Sequence, residues 1–261
     1  MSSLMETLPS AGGDSRRGDY DNRLQVVGQG PPLVYVPGLD GTGALFYRQI
    51  PALSRRFRVA TYALRDSATE IGTLIADLAR VIRDVAPGGE PAVLVAESFG
   101  GALAMSFALE HPAMVRHLVI LNSFPFFGPH LRLRLARAGL HLMPWGAMRL
   151  MRRMTSFRIH SQHTHRDDVR RFFELTAHTT KQGYLNRLRI LATYDIRDSL
   201  PGLRVPLLLL AGDEDHLIPS VEQARVMNAL VPHATTIILR GHGHSCFLAR
   251  SLDLDSILPA Y

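Results

Sequence analysis

Short segments, most of them continuously apolar, alternate along the chain with longer segments of helical pattern. The apolar segments are rich in Val, Ile and Leu and predict strands at 33–36, 57–62, 92–97, 117–122, 206–211 and 235–239. The segments between them predict helices at 44–54, 67–85, 98–111 and 221–230. Strands without polar alternation are typical of a parallel sheet covered on both faces. The pattern therefore predicts a doubly wound α/β fold.

The alternation stops between residues 124 and 198, where only helical patterns interrupted by prolines and a glycine are found. A helical insert between two strands of a parallel sheet is expected to form a cap at the carboxyl ends of the strands, where α/β proteins bind ligands. We predict a core formed by 20–123 and 199–261, a basic helical cap at 124–198, and a mobile N-terminal tail at 1–19.

The composition is that of a globular protein. Of the 261 residues, 46% are hydrophobic and 20% charged, which excludes a disordered or fibrous chain. No apolar run approaches the roughly 20 residues of a membrane-spanning helix, and the first 19 residues lack the apolar core of a secretory signal. Cys246 is the single cysteine and cannot form an internal disulfide or a multi-cysteine zinc site. We expect a soluble, cytoplasmic protein, with a peripheral position at a membrane surface as the alternative.

The positive charge is concentrated in the predicted cap. Residues 124–198 hold 14 basic and five acidic residues, whereas the rest of the chain holds 15 basic and 18 acidic ones, for a net charge of +6. A basic segment raises the question of nucleic-acid binding. This one contains few aromatic residues for base stacking and no recognition motif, so we do not expect a nucleic-acid partner.

One serine follows a predicted strand directly. Ser98 lies between the strand 92–97 and a predicted helix, with Ala96 two residues before it and Gly100 two residues after it. A tight strand-to-helix turn with small flanking residues forces a strained backbone and exposes a nucleophilic hydroxyl, as in the G-x-S-x-G pattern. The alternative is an ordinary strand–turn–helix joint that contains a serine by chance.

A glycine-rich loop follows the first predicted strand, with glycines at positions 38, 41 and 43. Such a loop can supply backbone N–H donors to the oxyanion of an acyl-transfer reaction. We predict the N–H groups of Leu39 and of Phe99, the residue after the serine, as these donors. A phosphate-binding loop is the alternative, but the segment lacks both G-x-G-x-x-G and the Walker lysine.

Acids and histidines follow two later strands. Asp213, Glu214 and Asp215 compete as the acid that orients an imidazole, and His242 and His244 compete as the general base. A His-x-His pair can also bind a metal, but no further Cys or acid ligand lies nearby in the sequence. We expect neither a metal nor a cofactor.

The chain order of serine, acid and histidine, each after a strand, resembles that of the α/β-hydrolase superfamily from Leu24 to the C-terminus, apart from the cap. The resemblance implies a mostly parallel sheet with helices on both faces and a helical cap inserted after the sixth strand of that fold. The family's G-x-x-D-x-x-x-P motif matches 212–219 and implies Asp215 as the acid. The family's histidine follows a glycine and precedes a hydrophobic segment, which implies His244.

The loop Pro-Gly-Leu-Asp-Gly-Thr-Gly at 37–43 is similar to that of esterases, lipases and thioesterase-like members, including the hydrolase-like part of plant phytyl ester synthases. This resemblance implies a serine hydrolase with catalytic Ser98, Asp215 and His244 that cleaves esters of medium or long acyl chains. An acyltransferase or thioesterase acting on acyl thioesters, and a catalytically silent receptor, are the alternatives. His163 and Asp168 have the His-x-x-x-x-Asp spacing of acyltransferases, which we interpret as chance because the cap is too short for such a region.

Within the predicted cap, Leu, Met and the only Trp are interleaved with Arg between residues 131 and 154. One interpretation is an interfacial lid that meets an acyl chain and an anionic lipid surface. Another is a docking site for an acidic acyl carrier or a nucleotide-bearing thioester. The third is a packed cap helix with a solvated Arg face. The substrate itself is expected to be a small-molecule ester or acyl compound.

Overall fold

The computed structural model of the protein describes residues 24–128, 144, 146–147, 159–161 and 163–259. The predicted tail at 1–19 and nearly all of the Arg-rich segment at 131–154 lie outside the described residues.

The centre of the fold is a seven-stranded sheet in the order β1-β3-β2-β4-β5-β6-β7. Its strands are β1 (Gln25–Val27), β2 (Pro32–Val36), β3 (Arg58–Thr61), β4 (Ala92–Glu97), β5 (Val115–Leu121), β6 (Leu207–Gly212) and β7 (Thr235–Leu239). The edge strand β1 pairs with β3 in antiparallel orientation, and the other neighbouring pairs are parallel. The six strands predicted from the sequence are present, and β1 was missed.

The helices lie between the strands and cover the sheet. They are α1 (Ile50–Leu53), α2 (Ile71–Val85), α3 (Phe99–Glu110), α4 (Arg166–Thr176), α5 (Lys181–Leu191), α6 (Ser220–Leu230) and α7 (Leu254–Ile257), with 3₁₀ turns at Ala44–Arg48, Pro112–Met114, Leu200–Gly202 and Cys246–Leu248. The single helix predicted at 44–54 is a 3₁₀ turn followed by the short α1. The helix predicted from residue 67 begins at Ile71, because Glu70 before it is extended.

Alternate residues of the central strands face two separate cores. Val34, Leu94 and Ile120 belong to the core on one side of the sheet. Val95 and Val119 belong to the core on the other side. All five side chains are buried, with exposures of at most 1%. Burial on both faces explains why the central strands carry mostly apolar residues in the sequence.

The helices α4 and α5 lie in the insert between β5 and β6, and β5 is the strand that follows the one leading to Ser98. The two ends of the insert meet in an isolated antiparallel bridge between Phe126 and Asp195. Asp168 of α4 fastens the insert to the core, since its carboxylate accepts hydrogen bonds from Tyr47 Oη at 2.8 Å and Arg48 Nη1 at 3.0 Å.

Across the described ranges, no helix combines the length and the apolar character that crossing a bilayer requires.

Candidate active site

Ser98 occupies the joint between β4 and α3 in a strained backbone conformation. Its φ of 52° and ψ of −120° lie in a region that non-glycine residues rarely adopt. The fold holds this turn from several sides: Ser98 N donates to the carbonyl of Leu121 at 3.0 Å, and its own carbonyl accepts from Ser123 Oγ at 2.7 Å. Strain of this kind persists only where the surroundings enforce it, and it is typical of functional positions.

The approach of α3 to the end of β2 explains the small residue at position 100. A Cβ atom on Gly100 would overlap the backbone carbonyls of Val36 and Pro37. Ala96, at the other small position of the motif, is fully buried. The turn that carries Ser98 therefore tolerates no bulk at residue 100.

Asp215 and His244 are in direct contact. His244 Nδ1 lies 2.7 Å from Asp215 Oδ2, and the two side chains are 6% and 1% exposed. The other carboxylate oxygen of Asp215 accepts from the backbone N–H groups of Leu217 at 2.9 Å and Ile218 at 3.1 Å. The hydroxyl of Ser220 also donates to Asp215 Oδ2. These bonds fix the carboxylate behind the imidazole.

The competing residues from the sequence have other partners. Asp213 accepts from Gly241 N at 2.7 Å and Arg240 Nη1 at 3.2 Å. His242 places Nδ1 at 2.8 Å from the carbonyl of Arg240 and Nε2 at 3.1 Å from Ser251 Oγ. Both ring nitrogens of His242 are thus used within the loop, and the structure pairs Asp215 with His244 alone among these candidates.

The His-x-x-x-x-Asp spacing does not form a pair. The ring of His163 stacks on that of His242, with 4.7 Å between the centroids. Asp168 instead binds Tyr47 and Arg48. Its contacts join the insert to the core and give no support to an acyltransferase motif.

The Asp–His contact shifts the pKa values of both groups. Burial alone would lower the pKa of His244, but the charge and hydrogen bond of Asp215 outweigh it and raise the pKa above 6.5. Burial would likewise raise the pKa of Asp215, but the charge of His244 and the hydrogen bonds from His244 and Ser220 hold it below its usual value. The pair therefore favours an ionised carboxylate beside a strengthened imidazole base.

Glu97, the residue before the serine, was not singled out as a site residue in the sequence. Its side chain is buried, and its Oε1 accepts a hydrogen bond from Gly38 N at 3.0 Å. Burial is the main cause that raises the pKa of Glu97 to about 7, and the charge of His244 acts in the opposite direction. An acid at the end of a continuously apolar strand is the signal that could have identified it.

The same hydrogen bond brings the glycine-rich loop to the serine. Gly38 lies next to Leu39, and Glu97 lies next to Ser98 and two residues before Phe99. The loop is a tight turn, because Gly41 N donates to the Gly38 carbonyl at 3.0 Å. The two backbone segments that contain the predicted oxyanion donors, Leu39 and Phe99, are therefore adjacent.

Asn122 is a second residue that the sequence analysis missed. Its Nδ2 donates to the carbonyls of Gly243 at 3.0 Å and His244 at 2.7 Å, and its Oδ1 accepts from Gly212 N at 2.8 Å. Asn122 also has a positive φ of 45°. It joins the end of β6 to the histidine loop and so fixes the backbone that carries His244.

His160 supplies another imidazole beside the site. The carbonyl of Ile159, the residue before it, accepts from Ser245 N at 3.0 Å. Burial, together with the charge of His244, lowers the pKa of His160 to about 4. His160 is therefore a much weaker base than His244.

Within the described ranges, no group of three or more His, Cys, Asp or Glu side chains is arranged to hold a metal ion.

The comparisons with known proteins agree with this architecture. A model of the alpha/beta hydrolase fold matches residues 31–250, which is most of the chain. The protein belongs to the alpha/beta hydrolase fold family, and the fold and family predicted from the sequence are confirmed.

Curated relatives are more distant. The chain is 29% identical over 238 residues to a pimeloyl-acyl-carrier-protein methyl ester esterase of Vibrio cholerae, covering 87% of this chain and 92% of the relative. It is 26% identical over 253 residues to a protein of Yersinia enterocolitica that bears the name carbamate hydrolase RutD, covering 91% of each.

Solved structures show the same fold. An esterase from Exiguobacterium antarcticum superposes with a TM-score of 0.77 at 20% identity, covering 86% of this chain and 89% of that chain. The enol-lactonase from Burkholderia xenovorans gives a TM-score of 0.75 at 20% identity, covering 87% and 92%. At this identity the likeness concerns the fold.

Proposed function

We propose that this protein is a serine hydrolase that cleaves carboxylic esters through an acyl-enzyme, with Ser98 as nucleophile, His244 as general base and Asp215 as the acid that orients it. The observation that carries the proposal is the buried contact of 2.7 Å between His244 Nδ1 and Asp215 Oδ2. The strained turn at Ser98 supports the nucleophile, and membership of the hydrolase family supports the class of reaction.

In the proposed reaction, His244 takes the hydroxyl proton of Ser98 through Nε2 as Ser98 attacks the ester carbonyl. The N–H groups of Leu39 and Phe99 stabilise the oxyanion, and loss of one such donor typically lowers kcat by about 10²–10³. The imidazolium, held by Asp215, then gives its proton to the leaving alcohol. Water attacks the acyl-enzyme by the same route and releases the acid.

For the substrate, we propose esters of medium or long acyl chains. Two observations support an acyl chain: the Leu- and Met-rich sequence at 131–154, and the name of the Vibrio cholerae relative, an esterase for an acyl group on a carrier protein. Met side chains suit a deformable apolar pocket.

The first experiment measures hydrolysis of p-nitrophenyl esters from C2 to C16 by the unmodified protein and by Ser98→Ala. Turnover that peaks at C6 or longer and disappears in Ser98→Ala is expected. Activity confined to the acetyl ester would contradict the proposed chain length, and unchanged activity in Ser98→Ala would contradict the nucleophile. An inert protein would favour the acyltransferase, thioesterase or silent-receptor alternatives.

An acyl group on an acidic carrier is the second candidate, and the basic insert is the observation that favours it. Turnover of a carrier-bound ester or thioester with a KM that rises steeply between low and high salt would support it, because exposed charges are screened. The same KM as for the free ester would contradict it. Co-sedimentation with anionic but not neutral vesicles would instead identify a lipid surface as the partner.

A further inference from the structure

Arg187, in helix α5 of the insert, is a fully buried cation. Its side chain is 1% exposed. Burying a charge is unfavourable unless partners compensate it. The contacts of Arg187 therefore show which groups hold the buried guanidinium. Arg187 spans from the insert to the glycine-rich loop of the core.

The guanidinium donates to the carbonyls of two consecutive residues of the loop. Arg187 Nε lies 2.9 Å from the carbonyl oxygen of Leu39, and Nη2 lies 3.3 Å from that of Asp40. The third nitrogen, Nη1, forms an ion pair with Asp66 at 3.1 Å. Asp66 thus compensates the charge, while the remaining donors bind the backbone of the loop.

Two neighbouring features tighten this arrangement. Thr179, also in the insert, donates from Oγ1 to the carbonyl of Asp40 at 3.0 Å. At Gly41, whose φ is +68°, an added Cβ would overlap the Arg187 guanidinium. The loop backbone and the guanidinium therefore pack together without space for an additional methyl group.

Leu39 is consequently held from two directions. On one side, the N–H of Gly38 donates to the buried Glu97 carboxylate at 3.0 Å. On the other side, the carbonyl of Leu39 accepts from Arg187 at 2.9 Å. The N–H of Leu39 lies between these two anchors in the chain, in the peptide unit whose carbonyl, that of Gly38, accepts from Gly41 N at 3.0 Å.

We propose that Arg187 is a positioning residue for oxyanion stabilisation: from the insert, it fixes the orientation of the Leu39 N–H. This inference rests on the function proposed above, in which that N–H is an oxyanion donor. Displacing a catalytic group by about 1 Å can lower the rate by about 100-fold. The helical insert then contributes to the chemistry of the site.

The test compares Arg187→Met and Arg187→Lys with Asp168→Asn in the full-length protein. Asp168 is the matched control, because it is also a buried charge that ties the insert to the core, but its partners are Tyr47 and Arg48. For each variant we would measure kcat, KM, the thermal midpoint, and inhibition by a trifluoromethyl ketone, which forms an oxyanion adduct with an active serine.

Both Arg187 variants are expected to lower kcat by about 10- to 100-fold with KM changed less than about threefold, and to weaken the trifluoromethyl ketone by a similar factor. Asp168→Asn is expected to lower the thermal midpoint and leave both quantities within about threefold of the unmodified protein. Equal losses of kcat in Asp168→Asn and the Arg187 variants would overturn the inference, because anchoring of the insert alone would then explain them.

Two further measurements distinguish failure of the role proposed for Arg187 from failure of the proposed function. If Arg187→Met does not fold, Arg187→Lys and the near-isosteric Thr179→Val decide, and unchanged kcat in both would overturn the inference. Labelling of Ser98 by a fluorophosphonate in the unmodified protein is measured first. No labelling and no ester turnover would refute the proposed function itself, whereas labelled, active protein with insensitive Arg187 variants would refute only the role of Arg187.

Discussion

Asp213 and Asp215 are separated by one residue, yet only one of them faces the imidazole. Asp215 accepts hydrogen bonds from two backbone N–H groups and from Ser220, and its remaining capacity is directed to His244. Asp213 is turned to the surface and binds Arg240. The local turn after β6 thus decides which acid is placed behind His244.

Replacing Asp215 by Asn is expected to lower kcat on p-nitrophenyl esters by about 10⁴, because the amide no longer holds the imidazole in the tautomer that accepts the serine proton. Asp213→Asn is the matched control and is expected to change kcat by less than about threefold. A comparable loss in Asp213→Asn would contradict the assignment. Steady-state kinetics on both purified variants, with thermal midpoints to show that each is folded, provides the measurement.

The contact between Asp215 and His244 also predicts how the activity depends on pH. Only the neutral imidazole accepts a proton, and the pKa of His244 lies above 6.5 because of Asp215. For the unmodified protein, kcat/KM is therefore expected to rise with pH through a midpoint above 6.5. In Asp215→Asn this midpoint should move to lower pH. A pH profile of kcat/KM that rises through a midpoint at or below 6.5 would be the contrary result.

Helix α3 packs closely against the end of strand β2 at Gly100, and this contact between the two elements holds the turn at Ser98. The carbonyls of Val36 and Pro37 occupy the space where a side chain at residue 100 would lie. Gly72 in α2 offers a contrast, because nothing lies within 4 Å of the position of its Cβ. The two helical glycines therefore predict opposite responses to the same substitution.

Gly100→Ala is expected to lower the free energy of unfolding by about 1–3 kcal/mol, because the added methyl group pushes α3 away from the end of β2. Gly72→Ala is expected to raise it by up to about 1 kcal/mol, since alanine favours an unobstructed helix. Urea denaturation of both variants gives the two values. Equal effects of the two substitutions would contradict the close approach at residue 100.

The strands predicted best from the sequence are those whose burial produces a run of consecutive apolar residues. β6 is continuously apolar, and β4 is apolar up to its last residue, Glu97, because both faces of these strands are covered. β1 escaped prediction because its three residues are exposed and pair only with the edge of β3. The turn at 44–54 was predicted as one helix, since apolar periodicity alone does not distinguish a 3₁₀ turn from an α-helix.

The candidate site likewise contains residues that lie in local motifs and contacts that no local pattern reveals. Ser98, Asp215 and His244 each lie in a local motif, from which the family resemblance selects them, and their catalytic roles stay a prediction. Other contacts join residues that are remote in the chain: Gly38 and Glu97 are 59 residues apart, Asn122 and Gly243 are 121 apart, and Leu39 and Arg187 are 148 apart. No short-range pattern encodes such pairs, so they required the folded structure.

The buried Glu97 carboxyl makes the folding stability of the whole protein depend on pH. Burial raises its pKa from 4.5 to about 7 in the folded protein. Between these values the folded chain binds more protons at this group than the unfolded chain does. The contribution of Glu97 to stability is therefore greatest below pH 4.5 and is lost as the pH rises to about 7.

Glu97→Gln removes this titration while retaining an oxygen that can accept from Gly38. Relative to the unmodified protein, the variant is expected to gain stability as the pH rises from 4.5 to above 7, by about 3 kcal/mol at most. The exposed Glu90→Gln is the control. Urea denaturation at pH 5 and pH 8 provides the measurement, and a difference that is the same at both pH values would contradict the raised pKa of Glu97.

The two ends of the insert lie side by side, where Phe126 bridges Asp195 and Ile196 N donates to the carbonyl of Pro125 at 2.9 Å. The chain therefore leaves and re-enters the core at neighbouring points. We expect that an insert of another length or sequence can be grafted at this junction without moving β5 or β6. Such a graft would also remove Thr179 and Arg187. On the role proposed for Arg187, an insert taken from a relative would have to bring its own support for the loop at Leu39 along with any new specificity.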